Sequence, residues 1–197
     1  MFDIFCVTNR SLCEGDFLSQ VKKVAEGGAD AVILREKDLP EQDYEALAKE
    51  VLKICQDAGT PCILHSFVSA AIRLDAKAIH LPLPVLRTMT AEEKAKFDSI
   101  GASCHSKEEA EEAERLGCTY ITAGHVFVTD CKKGLAPRGL SFLQEVCEAV
   151  TLPVYAIGGI NSENAQSAYE AGAKGVCLMS GFMRCRDVRK MVSEMRE

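Results

Sequence analysis

An imidazole, a hydroxyl and an ammonium stand within the twelve-residue stretch Gly124-His125-Val126-Phe127-Val128-Thr129-Asp130-Cys131-Lys132-Lys133-Gly134-Leu135, just after the short apolar run Tyr120-Ile121-Thr122-Ala123. Histidine is the side chain whose charge changes nearest neutrality, and a glycine before it lets the backbone come close to a ligand. Such a loop can do chemistry near neutral pH if a fold holds it beside a cavity. Otherwise it is a surface loop with a stray histidine, so the elements around it decide.

Those elements alternate along the whole chain. Strand-like runs rich in apolar and β-branched residues cover Phe2-Thr8, Ala31-Leu34, Cys62-His65, Ala78-Leu81, Ile100-Cys104, Tyr120-Ala123, Val154-Ile157 and Gly175-Leu178. Segments of helical period lie between them: Asp16-Gly27, Pro40-Ala58, Phe67-Asp75, Val85-Phe97, Ser106-Leu116, Gly139-Ala149, Asn161-Ala171 and Gly181-Glu197. Ser106 with Glu109 reads as a capping box, and Gly27, Gly59, Gly117 and Gly172 stand just past helix ends. Eight strand-helix units without a linker predict one (β/α)8 (TIM) barrel domain over residues 1–197. The competing doubly wound sheet lacks its glycine fingerprint after the first strand, where Val7-Thr8-Asn9-Arg10 stands.

In a barrel, strand C-terminal ends converge on one mouth. His65, His80, His105 and His125 all fall at or just beyond such ends. A metal site is one reading, but no carboxylate accompanies the four at ligand spacing. The other reading is one working histidine with the rest packed or hydrogen-bonded around it. Gly158-Gly159-Ile160-Asn161 after the seventh strand and Met179-Ser180-Gly181 after the eighth each read as the opening of a helix, and their backbone amides would make a phosphate cradle. The second strand ends in Leu34-Arg35-Glu36-Lys37-Asp38, with Arg35 and Lys37 as anion partners and Glu36 as an orienting carboxylate.

Leu-Arg-Glu-Lys-Asp after the second strand, Gly-His-Val-Phe-x-Thr-Asp-Cys-Lys-Lys-Gly after the sixth, Ala-Ile-Gly-Gly-Ile after the seventh and Met-Ser-Gly after the eighth resemble the thiamine phosphate synthase/TenI superfamily. The resemblance spans essentially the whole chain and implies a (β/α)8 barrel with a role in making the thiazole half of thiamine. Its synthase branch joins thiazole phosphate to pyrimidine diphosphate with Mg²⁺, and typically carries Asn-Asp after the third strand and Gly-Gln-x-Asp after the fourth. Here His65-Ser66 and Leu81-Pro82-Leu83-Pro84 occupy those places, so both expected metal carboxylates are missing. The His125 form of the sixth loop resembles the TenI branch, whose bacterial members are thiazole tautomerases.

That branch implies His125 as catalytic acid/base on a carboxythiazole phosphate, with no cofactor and no metal. Thr129 and Lys132, with the amides around Gly158, Gly159, Ser180 and Gly181, would hold the phosphate, and Arg35 the substrate carboxylate. Three other readings stay open. One is a synthase with an unusual metal site, and another a non-catalytic regulatory relative that binds a thiazole phosphate. The third is a different phosphate-binding barrel isomerase, which would need a paired acid and base that the chain does not display.

Composition excludes other classes. The 197 residues carry a formal charge of −6 with scattered Lys and Arg, so no nucleic-acid or membrane-binding face is expected. Neither a signal peptide nor an apolar run of membrane-spanning length is evident, which predicts a cytoplasmic protein; a homo-oligomer is compatible with the sequence. The ten cysteines never form Cys-x-x-Cys, and Cys6, Cys62, Cys104 and Cys177 lie within apolar runs, as reduced core thiols do. Cys131, beside Lys132, is flagged as a reactive thiol.

Overall fold

The computed structural model describes residues 2–129 and 134–196. Eight parallel strands close in sequence order into a barrel: β1 (Asp3–Val7), β2 (Ala31–Leu34), β3 (Cys62–His65), β4 (Ala78–Pro82), β5 (Ser99–Cys104), β6 (Tyr120–Gly124), β7 (Val154–Ile157) and β8 (Gly175–Leu178). Closure comes from pairing of β1 with β8, Ile4 opposite Val176. The helices α1 (Phe17–Glu26), α2 (Glu41–Ala58), α3 (Val68–Arg73), α4 (Leu83–Thr88), α5 (Ala91–Lys94), α6 (Lys107–Arg115), α7 (Gly139–Ala149), α8 (Ala165–Glu170), α9 (Ser180–Met183) and α10 (Val188–Arg196) complete the described elements, with a 3₁₀ turn at Arg10–Leu12. The barrel expectation holds.

Strand periodicity of two divides the core in two. On β2, Val32 and Leu34 point outward to the layer that includes Tyr44, Val51 and Leu143 from the helices. Ile33 points inward to a second cluster with Tyr120, Tyr155 and Cys177. Phe5 and Tyr155 stack there at 4.2 Å between ring centroids, and Tyr120 meets Tyr155 edge-on at 5.6 Å. Gly101 makes room for this plug, because a Cβ on it would lie 2.1 Å from Cζ of Tyr120. The aromatic rings thus fill the barrel interior, and an open cavity is left above them at the C-terminal mouth.

Several boundaries differ from expectation, each for a local reason. Val85-Phe97 is two helices, α4 and α5, because Thr90 and Glu93 form a full capping box that starts a new one. Gly181-Glu197 is also two: the chain breaks after α9, and Asp187 accepts the Lys190 amide at 3.1 Å where α10 begins. The Asn161 amide donates to Asn164 Oδ1 and the Glu163 amide to Asn161 Oδ1, both at 2.9 Å. These turns delay α8 to Ala165, so Gly158-Gly159 does not itself open a helix. The Ser106 hydroxyl accepts the Glu109 amide as expected, but the Glu109 carboxylate reaches back to the His105 amide instead of closing the box. Gly59 ends α2 in the left-handed region at φ +70°, whereas Gly27 caps α1 in an ordinary helical conformation.

No helix of the described residues is long and apolar enough to cross a membrane. All nine cysteines among them are free, and burial pushes the Cys104 and Cys118 thiols up to about 12, as expected of inert core thiols. Cys131 lies outside the described residues.

Candidate active site

A cavity of about 450 Å³ opens at the C-terminal mouth, and all four histidines line it. His65 ends β3, while His105 and His125 directly follow β5 and β6. His80 departs from expectation, since it lies two residues inside β4 and forms part of the floor. Its Nδ1 is 3.0 Å from the Tyr120 hydroxyl and its Nε2 is 2.9 Å from Ser103 Oγ, so hydroxyls satisfy both ring nitrogens. Burial, then the Lys37 and Arg35 charges, hold His80 down to about 3. His65 packs nearly parallel to it at 5.9 Å and is pushed down by burial first, then by His80 and the two cations. Both are therefore uncharged at neutral pH. His65 Nδ1 is buried with no hydrogen-bond partner among the described residues.

The charged run after β2 leaves the strand and turns at Lys37-Asp38, where the Leu39 amide donates to Glu36 O at 3.3 Å, so its side chains divide between two sides. Arg35 and Lys37 line the cavity. Glu36, expected to orient substrate, instead turns outward and is buried: it accepts from Thr8 Oγ1 at 2.7 Å and from the Arg10 amide and guanidinium at 3.0–3.1 Å. Arg10 also grips Asp38, its Nη1 2.7 Å from Oδ1. The run is therefore clamped to the loop after β1, a role that spacing could not reveal because Arg10 and Glu36 are 26 residues apart. Tyr44 stitches the next two strand ends, donating to Leu34 O and accepting the His65 amide, both at 2.8 Å.

His125 is held on several sides. Its Nε2 lies 3.4 Å from Leu135 O, a long contact that a proton on Nε2 would satisfy, with the lone pair then on Nδ1. The Arg138 amide donates to His125 O and the Gly139 amide to Val126 O, each at 3.0 Å. From β7, the Val126 amide meets Ile157 O and the Phe127 amide meets Gly158 O at 2.9 Å. The glycine pair fits this close approach: a Cβ on Gly158 would lie 2.3 Å from His125 Cβ, and one on Gly159 2.3 Å from Val128 O. Both have positive φ, +100° and +70°. Gly158-Gly159 is thus the seat of the His125 loop as well as part of the cavity wall.

Of the expected phosphate residues, Thr129, Gly158, Gly159 and Ser180 line the same cavity, with Met179 beside them. Gly181 is not in its lining; it sits within α9 over Leu178. Lys132 lies outside the described residues. Ser103 and Thr122 line the floor beside His80, whose Nδ1 the Tyr120 hydroxyl meets from the plug below; the sequence reading did not identify these hydroxyls. Their inward alternation on β5 and β6 around His80 was the available signal.

The model of the TMP-TENI family, described as thiamine monophosphate synthase, matches residues 4–182. A thiamine-phosphate synthase of Syntrophomonas wolfei is 34% identical over 203 residues, covering 100% of this chain and 95% of the relative. Another from Pyrococcus furiosus is also 34% identical, covering 98% and 93%. A solved structure of thiamine phosphate pyrophosphorylase from Pyrococcus furiosus superposes with a TM-score of 0.84 at 34% identity, over 99% of this chain and 94% of that one. With the closed barrel and these full-length matches together, the chain belongs to the thiamine phosphate synthase/TenI family.

Proposed function

We propose that this chain, acting as one (β/α)8 domain, is a thiazole tautomerase. The substrate is a non-aromatic carboxythiazole phosphate with an exocyclic double bond. His125 Nδ1 takes the proton from the ring carbon that bears the carboxylate and returns it to the exocyclic carbon, so the double bonds shift into an aromatic ring with no net change in composition. The observation that carries this reading is the grouping around the cavity: the His125 imidazole lines it together with the cations Arg35 and Lys37 and the uncharged His65 and His80. The substrate phosphate sits at Thr129, Gly158, Gly159 and Ser180, with Lys132 as its cationic partner, and Arg35 meets the carboxylate.

A second reading, thiamine phosphate synthesis, is favoured by the names of the full-length relatives. That reaction implies Mg²⁺, which takes hard oxygen ligands. The described residues do not fit it. Where the family carries its acidic groups, this chain has His65-Ser66 and Leu81-Pro82-Leu83-Pro84. Glu109 is the carboxylate side chain in the described cavity lining, and its Oε2 is engaged by the His105 amide at 2.6 Å. No group of three or more His, Cys, Asp or Glu among the described residues could hold a metal ion.

The direct test of the tautomerase reading is turnover of the non-aromatic substrate by wild type and by His125→Asn. Turnover is expected to fall by about 10²–10⁴ while product binding persists, the usual worth of general acid/base catalysis. A variant with near-normal turnover contradicts the assignment.

A further inference from the structure

We infer that His105 is a positioning residue for His125, acting through the carbonyl of Gly124; the inference rests on the proton-transfer reading above. The two histidines follow neighbouring strands, β5 and β6, and so stand side by side at the mouth. His105 Nδ1 lies 2.9 Å from O of Gly124, the carbonyl of the peptide that leads directly into His125. Because a carbonyl only accepts, Nδ1 carries the proton and donates. The bond survives a change in ring charge, since Nδ1 donates in the imidazolium as well.

His105 is itself tied to the start of α6. Its amide donates to Glu109 Oε2 at 2.6 Å, and the Glu109 amide donates to Ser106 Oγ at 3.2 Å. A short hydrogen-bonded path therefore runs from α6 through the His105 ring to the Gly124–His125 peptide. This explains why Glu109 departs from the ordinary capping box: its carboxylate serves the residue that holds Gly124.

Backbone anchoring matters here because the ring of His125 has a weak tether of its own. The Nε2 to Leu135 O separation is 3.4 Å, long for such a bond. The direction of the catalytic nitrogen depends instead on the peptide before it, whose carbonyl His105 holds, and on the Gly158 surface beneath its Cβ. A shift of about 1 Å in a group that must reach a reacting atom can lower turnover about 100-fold.

The test uses His105→Ala, which removes the donor, and His105→Asn, whose amide nitrogen falls near the place of Nδ1 and donates likewise. His105→Leu serves as a second donor-free variant should the alanine protein not fold. Removing the donor should lower kcat by about 10- to 100-fold with KM changed by less than about threefold, and His105→Asn should restore kcat to within about threefold of wild type. In parallel, ¹⁵N NMR of the His125 ring without substrate should report one fixed tautomer, protonated at Nε2, in wild type and His105→Asn, and averaged tautomers in the donor-free variant. Wild-type kcat together with an unchanged His125 tautomer in that variant would overturn the proposal. So would a His105→Asn protein as impaired as His105→Ala, because the imidazole itself would then be the needed group. If wild type does not turn over the thiazole substrate, the proton-transfer reading fails, and the NMR comparison still decides whether His105 orients His125.

Discussion

Replacing Gly158 with alanine should displace His125 more than it disturbs anything else. The new Cβ would lie 2.3 Å from His125 Cβ and 2.7 Å from its Cα. Unbonded carbons rest about 3.5–4.0 Å apart, so the two must separate by about 1.2 Å or more. Neither side yields easily. Gly158 O is bonded to the Phe127 amide, and His125 O to the Arg138 amide. Residue 158 also has φ +100°, a conformation that strains any side-chain-bearing residue. Backbone strain of about 1–3 kcal/mol and overpacking of about 1–3 kcal/mol predict a total destabilisation of about 2–6 kcal/mol. If the protein relieves the clash by moving His125 about 1 Å, kcat should fall about 100-fold.

The assay pairs calorimetric melting with turnover of the non-aromatic thiazole phosphate. Gly59→Ala is the control for strain alone, since its φ is +70° and nothing lies within 4 Å of an added Cβ. It should cost about 1 kcal/mol and leave turnover unchanged. A folded Gly158→Ala protein with wild-type kcat would refute the idea that this glycine seats the catalytic loop.

Acid should destabilise the fold through its buried histidines. His80 is held down to about 3, so below about pH 6.5 the unfolded chain takes up a proton that the folded state refuses, and stability falls as pH drops until about pH 3. At pH 5 this amounts to about 2 kcal/mol relative to pH 7, measured by urea unfolding. His80→Gln should lose that much less over the same interval; an identical pH dependence in the variant would contradict it. Ser180→Asp places a carboxylate where the substrate phosphate is proposed to sit. It should weaken binding of the thiazole phosphate product by at least about tenfold in calorimetry, as like charges near a surface repel by about 1–4 kcal/mol. Unchanged affinity would move the phosphate elsewhere.

The barrel was legible because each strand run carries its apolar residues within a few positions and each helix its own period, both of which are local patterns. His65, His105 and His125 were placed correctly by that same logic. Less legible were features that depend on which side of a strand faces the cavity, and on partners distant in sequence. Four consecutive charges after Leu34 conceal a division of labour, with Arg35 and Lys37 facing the cavity and Glu36 and Asp38 held by Arg10. The glycine pair after β7 reads as a phosphate turn, yet its backbone also packs against a loop more than thirty residues earlier. Side-chain competition hid the helix breaks, since Thr90 and Asn161 offer the backbone alternative hydrogen bonds that an apolar pattern does not register.

Offering the protein both reactions in parallel separates proton transfer from coupling. One arm supplies the non-aromatic carboxythiazole phosphate with chelator present; the other supplies thiazole phosphate and pyrimidine diphosphate in millimolar Mg²⁺. Departure of pyrophosphate requires its charge to be neutralised, whereas moving a proton between two carbons does not. The proton-transfer account predicts aromatisation that persists in chelator and no thiamine phosphate in the second arm. Robust Mg²⁺-dependent thiamine phosphate formation, with no aromatisation in the first arm, would contradict it and establish the activity for which the relatives are named.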